Sequence, residues 1–430
     1  MAIANGTSKP ALNFEGGYVQ IINGKVVPTE KTRHSLNPTN LEPKAEVPVA
    51  TQEHIDQAVA AAKAAFKLGP RDFLISEQGK PIPQADYETD AAIEWMRGMA
   101  RIPLPEDVIE ENETRTVITR YTPIGVVAAI IPWNFPLLLA TGKIAPALLT
   151  GNVIIVKPSP YTPYCGLKLV ELAQRFFPPG VVQSLSGDNN LGPWLTSHPG
   201  VNKISFTGST RAGKLVLQSA AKTLKRVTLE LGGNDPAIVF PDVNIDKVAE
   251  KVAFYAFLSR TLGDGSQPGV THGPLQNSMQ YKRVKTFADI KTQNWTVAYG
   301  GTIDPNAPGY FITPIVIDNP PEDSRIVVEE PFVPIVPLLS WKDEDEVIER
   351  ANNTNMGLGA SVWTNDLKKA EEVARQLHAG NVWVNKHFDL SPMAPFGGHK
   401  ESGIGTEWGL NGLKGFCNVQ TLFLNKDIVA

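Results

Sequence analysis

Apolar residues change their spacing along the chain, and each change predicts a different element. Near the start, YVQIINGKVV places two short β-prone runs around an Asn-Gly pair, which predicts a hairpin-like arm. Residues 54–66, HIDQAVAAAKAAF, form an alanine-rich stripe at helical spacing. The passage LGPRDFLISEQGKPIPQADYE has little periodicity, and a second helix is expected over 89–99. Residues 114–121, TRTVITRY, alternate polar with apolar like a strand with one solvated face.

Beyond this point short apolar runs alternate with helical stretches. Strands are expected at 125–131, 153–156, 180–185, 203–207 and 226–230, with helices at 138–149, 166–176, 192–196 and 211–219 between them. Such alternation predicts a parallel sheet with helices on both faces, and ligands beyond the carboxyl ends of its strands. A second α/β block follows: a strand over 327–339, a helix over 344–352, a strand over 359–363, a helix over 367–378 and a strand over 381–385. The segment TLGDGSQPGVTHGPLQN between the blocks reads as loop, and NVQTLFLN reads as an edge strand. No internal repeat is visible, and the fold class is α/β.

One uncharged stretch, YTPIGVVAAIIPWNFPLLLATG over 121–142, is as long as the ~20 residues that cross a bilayer. Pro132 and Pro136 bracket Asn134 at its centre, which would break a helix and leave polar groups that lipid cannot satisfy. A buried strand, a turn and a buried helix are expected instead, and no membrane partner.

Composition narrows the function classes. The chain has 430 residues and a net charge of -4, which argues against the basic footprint of a nucleic-acid binder. Hydrophobic residues at 42% and charged residues at 20% exclude wholesale disorder. Two cysteines cannot build a disulfide framework, and MAIANGTSKP has no charged start followed by an apolar core. A cytoplasmic setting is therefore expected.

Several residues could carry chemistry. Lys157 ends the run VIIVK, where an ordinary surface lysine is also common. ISFTGSTRAGK places Gly208 and Gly213 between a strand and a helix, where backbone amides could meet a pyrophosphate. It is neither a G-x-G-x-x-G nor a P-loop, and a plain βα turn explains it equally well. Glu230 closes the run RVTLE; buried there it could act as a general base, although a solvated, capped glutamate is the commoner case. Asn134 could donate to a developing oxyanion, or simply bond its own turn. His272, His387 and His399 are scattered without ligand spacing, so no metal site is expected. Cys165 and Cys417 have the settings of small buried hydrophobes.

Taken in order, PWNFP, a strand ending Lys-Pro-Ser, FTGST, LELGG, EEPF, GNVWVN and PFGGHKESG resemble the NAD(P)-dependent aldehyde dehydrogenase superfamily over nearly the whole chain. The resemblance implies a Rossmann-like cofactor domain over 14–101 and 122–231, and an α/β catalytic domain over 232–419. It also implies a small oligomerisation arm over 102–121 and 420–430. By motif, Asn134 matches the oxyanion-holding asparagine and Glu230 the general base. Lys157 matches the lysine on the adenine-side ribose, with Ser159 beside it. Gly208 and Ser209 match the pair near nicotinamide and pyrophosphate. Glu330 matches the glutamate on the nicotinamide ribose, and Phe332 the aromatic next to it. Trp133 and Leu231 fall inside the same motifs as further cofactor contacts. The implied reaction is oxidation of a small-molecule aldehyde to a carboxylic acid with NAD or NADP, in a homo-oligomer.

The chain departs from that pattern at four places. The family's nucleophile lies in a Gly-Gln-x-Cys motif downstream of LELGG, and AEKVAFYAFLSRTLGDGSQPGVTHGPLQN contains none. A lost segment is expected near 258–263, and a second shortening between Phe66 and Phe73. Pro160 stands where a ribose-binding glutamate is common, and Val333 where the family has glycine. Aldehyde oxidation of this type needs a thiolate adduct that can expel hydride. Three readings follow: an active dehydrogenase of which this chain is an incomplete version, a pseudoenzyme that binds nucleotide or a partner, or a structural subunit that assembles with full-length relatives.

Overall fold

The computed structural model describes residues 20–22, 25–33, 46–54, 56–57, 70–257, 261–288, 295–301 and 309–427. The Asn23-Gly24 turn, most of the helix expected over 54–66 and the residues just after Phe66 lie outside that set. The chain divides into two compact units, Met1–Gly69 and Pro70–Ala430. In the first, Gln20–Ile22 pairs antiparallel with Lys25–Val27, as the hairpin reading predicts. Thr32–Arg33 pairs antiparallel with Val47–Pro48.

In the second unit the five expected strands form one parallel array. Across it they run Val182–Ser184, Val153–Lys157, Val126–Ile130, Lys203–Thr207 and Arg226–Glu230, and Gly403–Ile404 adds an antiparallel sixth. Numbered by chain position the parallel strands lie 3-2-1-4-5, the doubly wound order. Both faces are covered, so the strands read as continuous apolar runs. Val127 and Ala129 face a core with Leu138, Ile144 and Trp95, while Ala128 and Ile130 face Ile204, Phe206, Val216 and Leu229.

Three smaller sheets are seen among the described residues of this unit. Ala237–Val239, Gly359–Trp363 and Asn381–Val384 are parallel. Thr296–Tyr299 pairs antiparallel with Ile315–Asp318, which runs parallel to Ile335–Leu338. Arg115–Pro123 lies between Asp107–Glu111 and Cys417–Asn425, so NVQTLFLN does sit on an edge strand.

Two expectations fail, and proline explains both. The passage after 68 is not irregular: it holds the helix Pro70–Gln78 and the start of the helix Ile82–Met99. Pro70, Pro81 and Pro83 sit at helix starts, where the missing N–H costs nothing, rather than acting as breakers. The strand expected over 327–339 is instead a short helix, Arg325–Val328, followed by the strand Ile335–Leu338. Pro331 and Pro334 remove ladder donors, and Phe332 takes a left-handed φ of 52° between them. The uncharged stretch over 121–142 is a buried strand, a turn and the start of the helix Pro136–Leu149. No helix among the described residues is long and apolar enough to cross a membrane.

Candidate active site

Strand order reverses between Val126–Ile130 and Lys203–Thr207, and a doubly wound sheet opens its ligand crevice beyond the carboxyl ends at that point. Trp133 and Asn134 follow the first of these strands; Gly208 and Ser209 follow the second. Lys157 closes the neighbouring strand and Ser159 lies just past it. Glu230 closes the strand on the other side, and Leu231 is next in the chain. The fold therefore gathers these residues at one end of one sheet.

Local packing ties the second turn to Glu230. The Gly208 N–H donates to the Glu230 carbonyl at 3.0 Å. Ser209 caps the helix Thr210–Ala221, its hydroxyl accepting from the Ala212 amide at 3.3 Å. A Cβ at Gly213 would stand 2.5 Å from Leu231, so glycine lets this helix approach the sheet.

Glu330 and Phe332 arrive from far along the chain. The Gly233 N–H donates to Glu330 Oε1 at 3.2 Å. The Phe332 ring meets Trp133 edge to face, with 5.5 Å between centroids. Arg283 donates to the Glu330 carbonyl at 2.5 Å and Gln280 to the Phe332 carbonyl at 2.6 Å.

Burial decides the chemistry. Glu230 is not solvated: desolvation, reinforced by the nearby Glu407 and opposed by Lys143, pushes its carboxyl up to about 8. Glu330 is likewise raised by burial, to about 7. Lys157 is not a surface lysine: it is buried, its ammonium donates to the Pro158 carbonyl at 3.1 Å, and burial lowers its pKa. Asn134 is half-buried, and its Oδ1 has no hydrogen-bond partner among the described residues, so that oxygen does not bond its own turn. Burial raises both the Cys165 and Cys417 thiols, the opposite of an activated nucleophile. Among the described residues no group of three or more His, Cys, Asp or Glu could hold a metal ion.

Sequence reasoning missed two buried ion pairs here. Lys143, from the helix Pro136–Leu149, pairs with Glu407, which also accepts from the Ser205 hydroxyl at 3.2 Å. Lys143 did carry a signal, as a lone charge in a helix that is apolar all round. Lys80 pairs with Glu88, and Glu88 Oε1 accepts from the Leu137 and Leu138 amides at 2.8 and 3.1 Å. That carboxylate occupies the positive end of the helix after the first strand. The end of the helix Thr210–Ala221 is thus the better placed of the two for a phosphate.

The model of the Aldehyde dehydrogenase family matches residues 70–261 and 258–422. The putative aldehyde dehydrogenase FUS7 of Gibberella fujikuroi is 39% identical over 470 residues, covering 96% of this chain and 100% of that relative. The aldehyde dehydrogenase LUC3 of Fusarium sp. is 39% identical, covering 94% and 98%. Among solved structures, betaine aldehyde dehydrogenase of Staphylococcus aureus in complex with NAD+ superposes with a TM-score of 0.79 at 28% identity, covering 95% of each chain. An E. coli NADP dependent enzyme superposes with a TM-score of 0.78 at 31% identity, covering 94% of this chain and 97% of that one.

Proposed function

Because the chain belongs to the aldehyde dehydrogenase family, we propose that it is an NAD(P)-binding aldehyde oxidoreductase whose turnover is impaired by loss of the segment carrying the nucleophilic cysteine. The observation that carries the first half is the convergence of Asn134, Lys157, Ser209 and Glu230 at the carboxyl end of the parallel sheet, with Glu330 brought beside them. Relatives in complex with NAD+ and dependent on NADP support either nucleotide.

The residues fit such a nucleotide. Helix Thr210–Ala221 offers its N-terminus to a phosphate, close behind Ser209. Lys157 would donate to one ribose, and the Glu330 carboxylate would accept from the other. Trp133 and Phe332 form an aromatic wall. When bound, the nicotinamide supplies a hydride acceptor. The Asn134 amide donates to the aldehyde oxygen, and Glu230 removes a proton from water.

Three observations support the loss. The family match breaks into two pieces that meet at 258–261, next to the expected gap. The alignment to FUS7 spans 470 positions yet takes in only 96% of this 430-residue chain, so it holds positions that have no residue here. The helix Ile245–Phe257, which leads into the junction, buries none of its residues, and Ile245 and Phe254 are exposed. Tyr255 still meets Trp363 and His387, and the exposure of the rest of this amphipathic helix fits removal of part of what it packed on.

A peptide-mass map of the native protein across residues 252–273 tests this. A match to the present sequence, NAD+ or NADP+ binding by calorimetry and negligible NAD(P)H production from aldehydes are expected. Extra residues including a cysteine would overturn the impaired reading and restore an active dehydrogenase. Absence of nucleotide binding would overturn the cofactor reading.

A further inference from the structure

A buried charge pair stands behind the Trp133–Asn134 turn, and neither member belongs to the sites assigned above. Glu88 is fully buried and Lys80 nearly so. Burying two charges is costly unless their remaining bonds are met. Here Glu88 finds them at the start of the helix that follows the turn. Glu88 Oε1 takes the amides of Leu137 and Leu138, the first free donors of the helix Pro136–Leu149. That helix has no cap of its own, since Phe135 supplies no side-chain acceptor. The Lys80 ammonium lies over the Phe135 ring, 3.6 Å from its centroid. Phe135 adjoins Asn134, so Lys80 touches the last residue of the turn while Glu88 holds the helix that starts directly after it.

The other side of the pair rests on the loop after the junction. The Ile82 amide donates to the Gly265 carbonyl at 3.2 Å, and Gln84 donates to the Thr271 carbonyl at 3.1 Å. A Cβ at Gly273 would stand 1.9 Å from the Gly79 carbonyl oxygen, and one at Gly265 2.5 Å from that of Lys80. Only glycine permits this backbone contact. A continuous path runs from the loop through Gly79 and Lys80 to Glu88, Phe135 and the turn.

We infer that Lys80 and Glu88 are positioning residues: the pair holds the Trp133–Asn134 turn in place and couples it to the 264–273 loop. The inference rests on the proposed function only for its nucleotide readout.

The test compares the full-length chain with Lys80→Met/Glu88→Gln, which leaves no unpaired buried charge, and with Lys80→Arg. Exchange of the Leu137 and Leu138 amides should quicken about tenfold or more in the double variant, while amides of Lys203–Thr207 stay protected. Trp133 emission, isolated by subtracting a Trp133→Phe background, should shift red. The NAD+ dissociation constant should rise about threefold to tenfold. Lys80→Arg keeps the cation and should hold wild-type affinity and emission. If Leu137 and Leu138 exchange faster but Trp133 emission and NAD+ affinity do not move, the pair is a helix cap only and the inference is overturned. If the double variant fails to fold, Glu88→Asp, which withdraws the carboxylate by one methylene, is judged by the same signals. If the wild-type chain binds neither NAD+ nor NADP+, the proposed function falls. An unmoved Trp133 signal would then overturn the inference by itself.

Discussion

Trp133 and Phe332 meet edge to face, with 5.5 Å between ring centroids and 87° between planes. The contact joins the turn after the first parallel strand to a segment outside that sheet. Phe332 holds a left-handed φ of 52° to make it, and Gln280 donates to the Phe332 carbonyl while Arg283 donates to that of Glu330. Edge-to-face pairs contribute about 0.5–1.5 kcal/mol beyond area burial. Phe332→Ala should weaken NAD(P) binding several-fold with little loss of stability, because this ring is partly exposed. Calorimetric titration together with thermal unfolding of the same variant checks both halves.

Lys157→Met and Glu330→Gln should each raise the nucleotide dissociation constant. A hydrogen bond to a charged group contributes about 1.5–3 kcal/mol, equivalent to roughly 10- to 150-fold in affinity. Unchanged affinity in both variants would remove these residues from the nucleotide site.

Glu230 makes stability depend on pH with a definite sign. Its carboxyl rises from 4.5 to about 8 on folding, so between those values the native state holds the proton more tightly than the unfolded chain. That contribution is present at low pH and is lost as pH rises toward 8. Its upper size is on the order of 5 kcal/mol. Wild type should therefore lose more stability than Glu230→Gln between pH 5 and about 8, in urea unfolding at fixed ionic strength. Parallel curves would mean that Glu230 ionises normally.

Neither cysteine should behave as a nucleophile. Cys165 and Cys417 are buried and their thiols are raised. A disulfide exchange reagent should label neither in the native protein within minutes, and both in denaturant. The Cys165→Ser/Cys417→Ser variant should leave any residual aldehyde turnover unchanged. Rapid labelling of one native thiol, with turnover lost on its replacement, would reverse the impaired reading.

Gly213→Val should destabilise the parallel sheet and its cover. A Cβ there meets Leu231 at 2.5 Å, and overpacking of this kind costs about 1–3 kcal/mol. A denaturant midpoint within error of wild type would show that Leu231 yields freely.

The alternation of strands and helices is legible in the amino-acid order, because periodicity is a local property that burial on two faces makes plain. The turns that carry Trp133, Asn134, Gly208 and Ser209 are legible in the same way, because those residues lie directly after apolar runs. Prolines misled at both Pro70–Gln78 and 327–339, since the same ring starts a helix, breaks a strand or does neither according to its position. How these residues behave depends on long-range packing. Lys157 and Glu230 could have been solvated, and covering both faces of the sheet buried them. Lys143 with Glu407 and Lys80 with Glu88 became pairs because the fold brought distant segments into one low-dielectric interior. The strand order that sets the crevice belongs to the same class: it comes from long-range pairing, which no window of sequence contains.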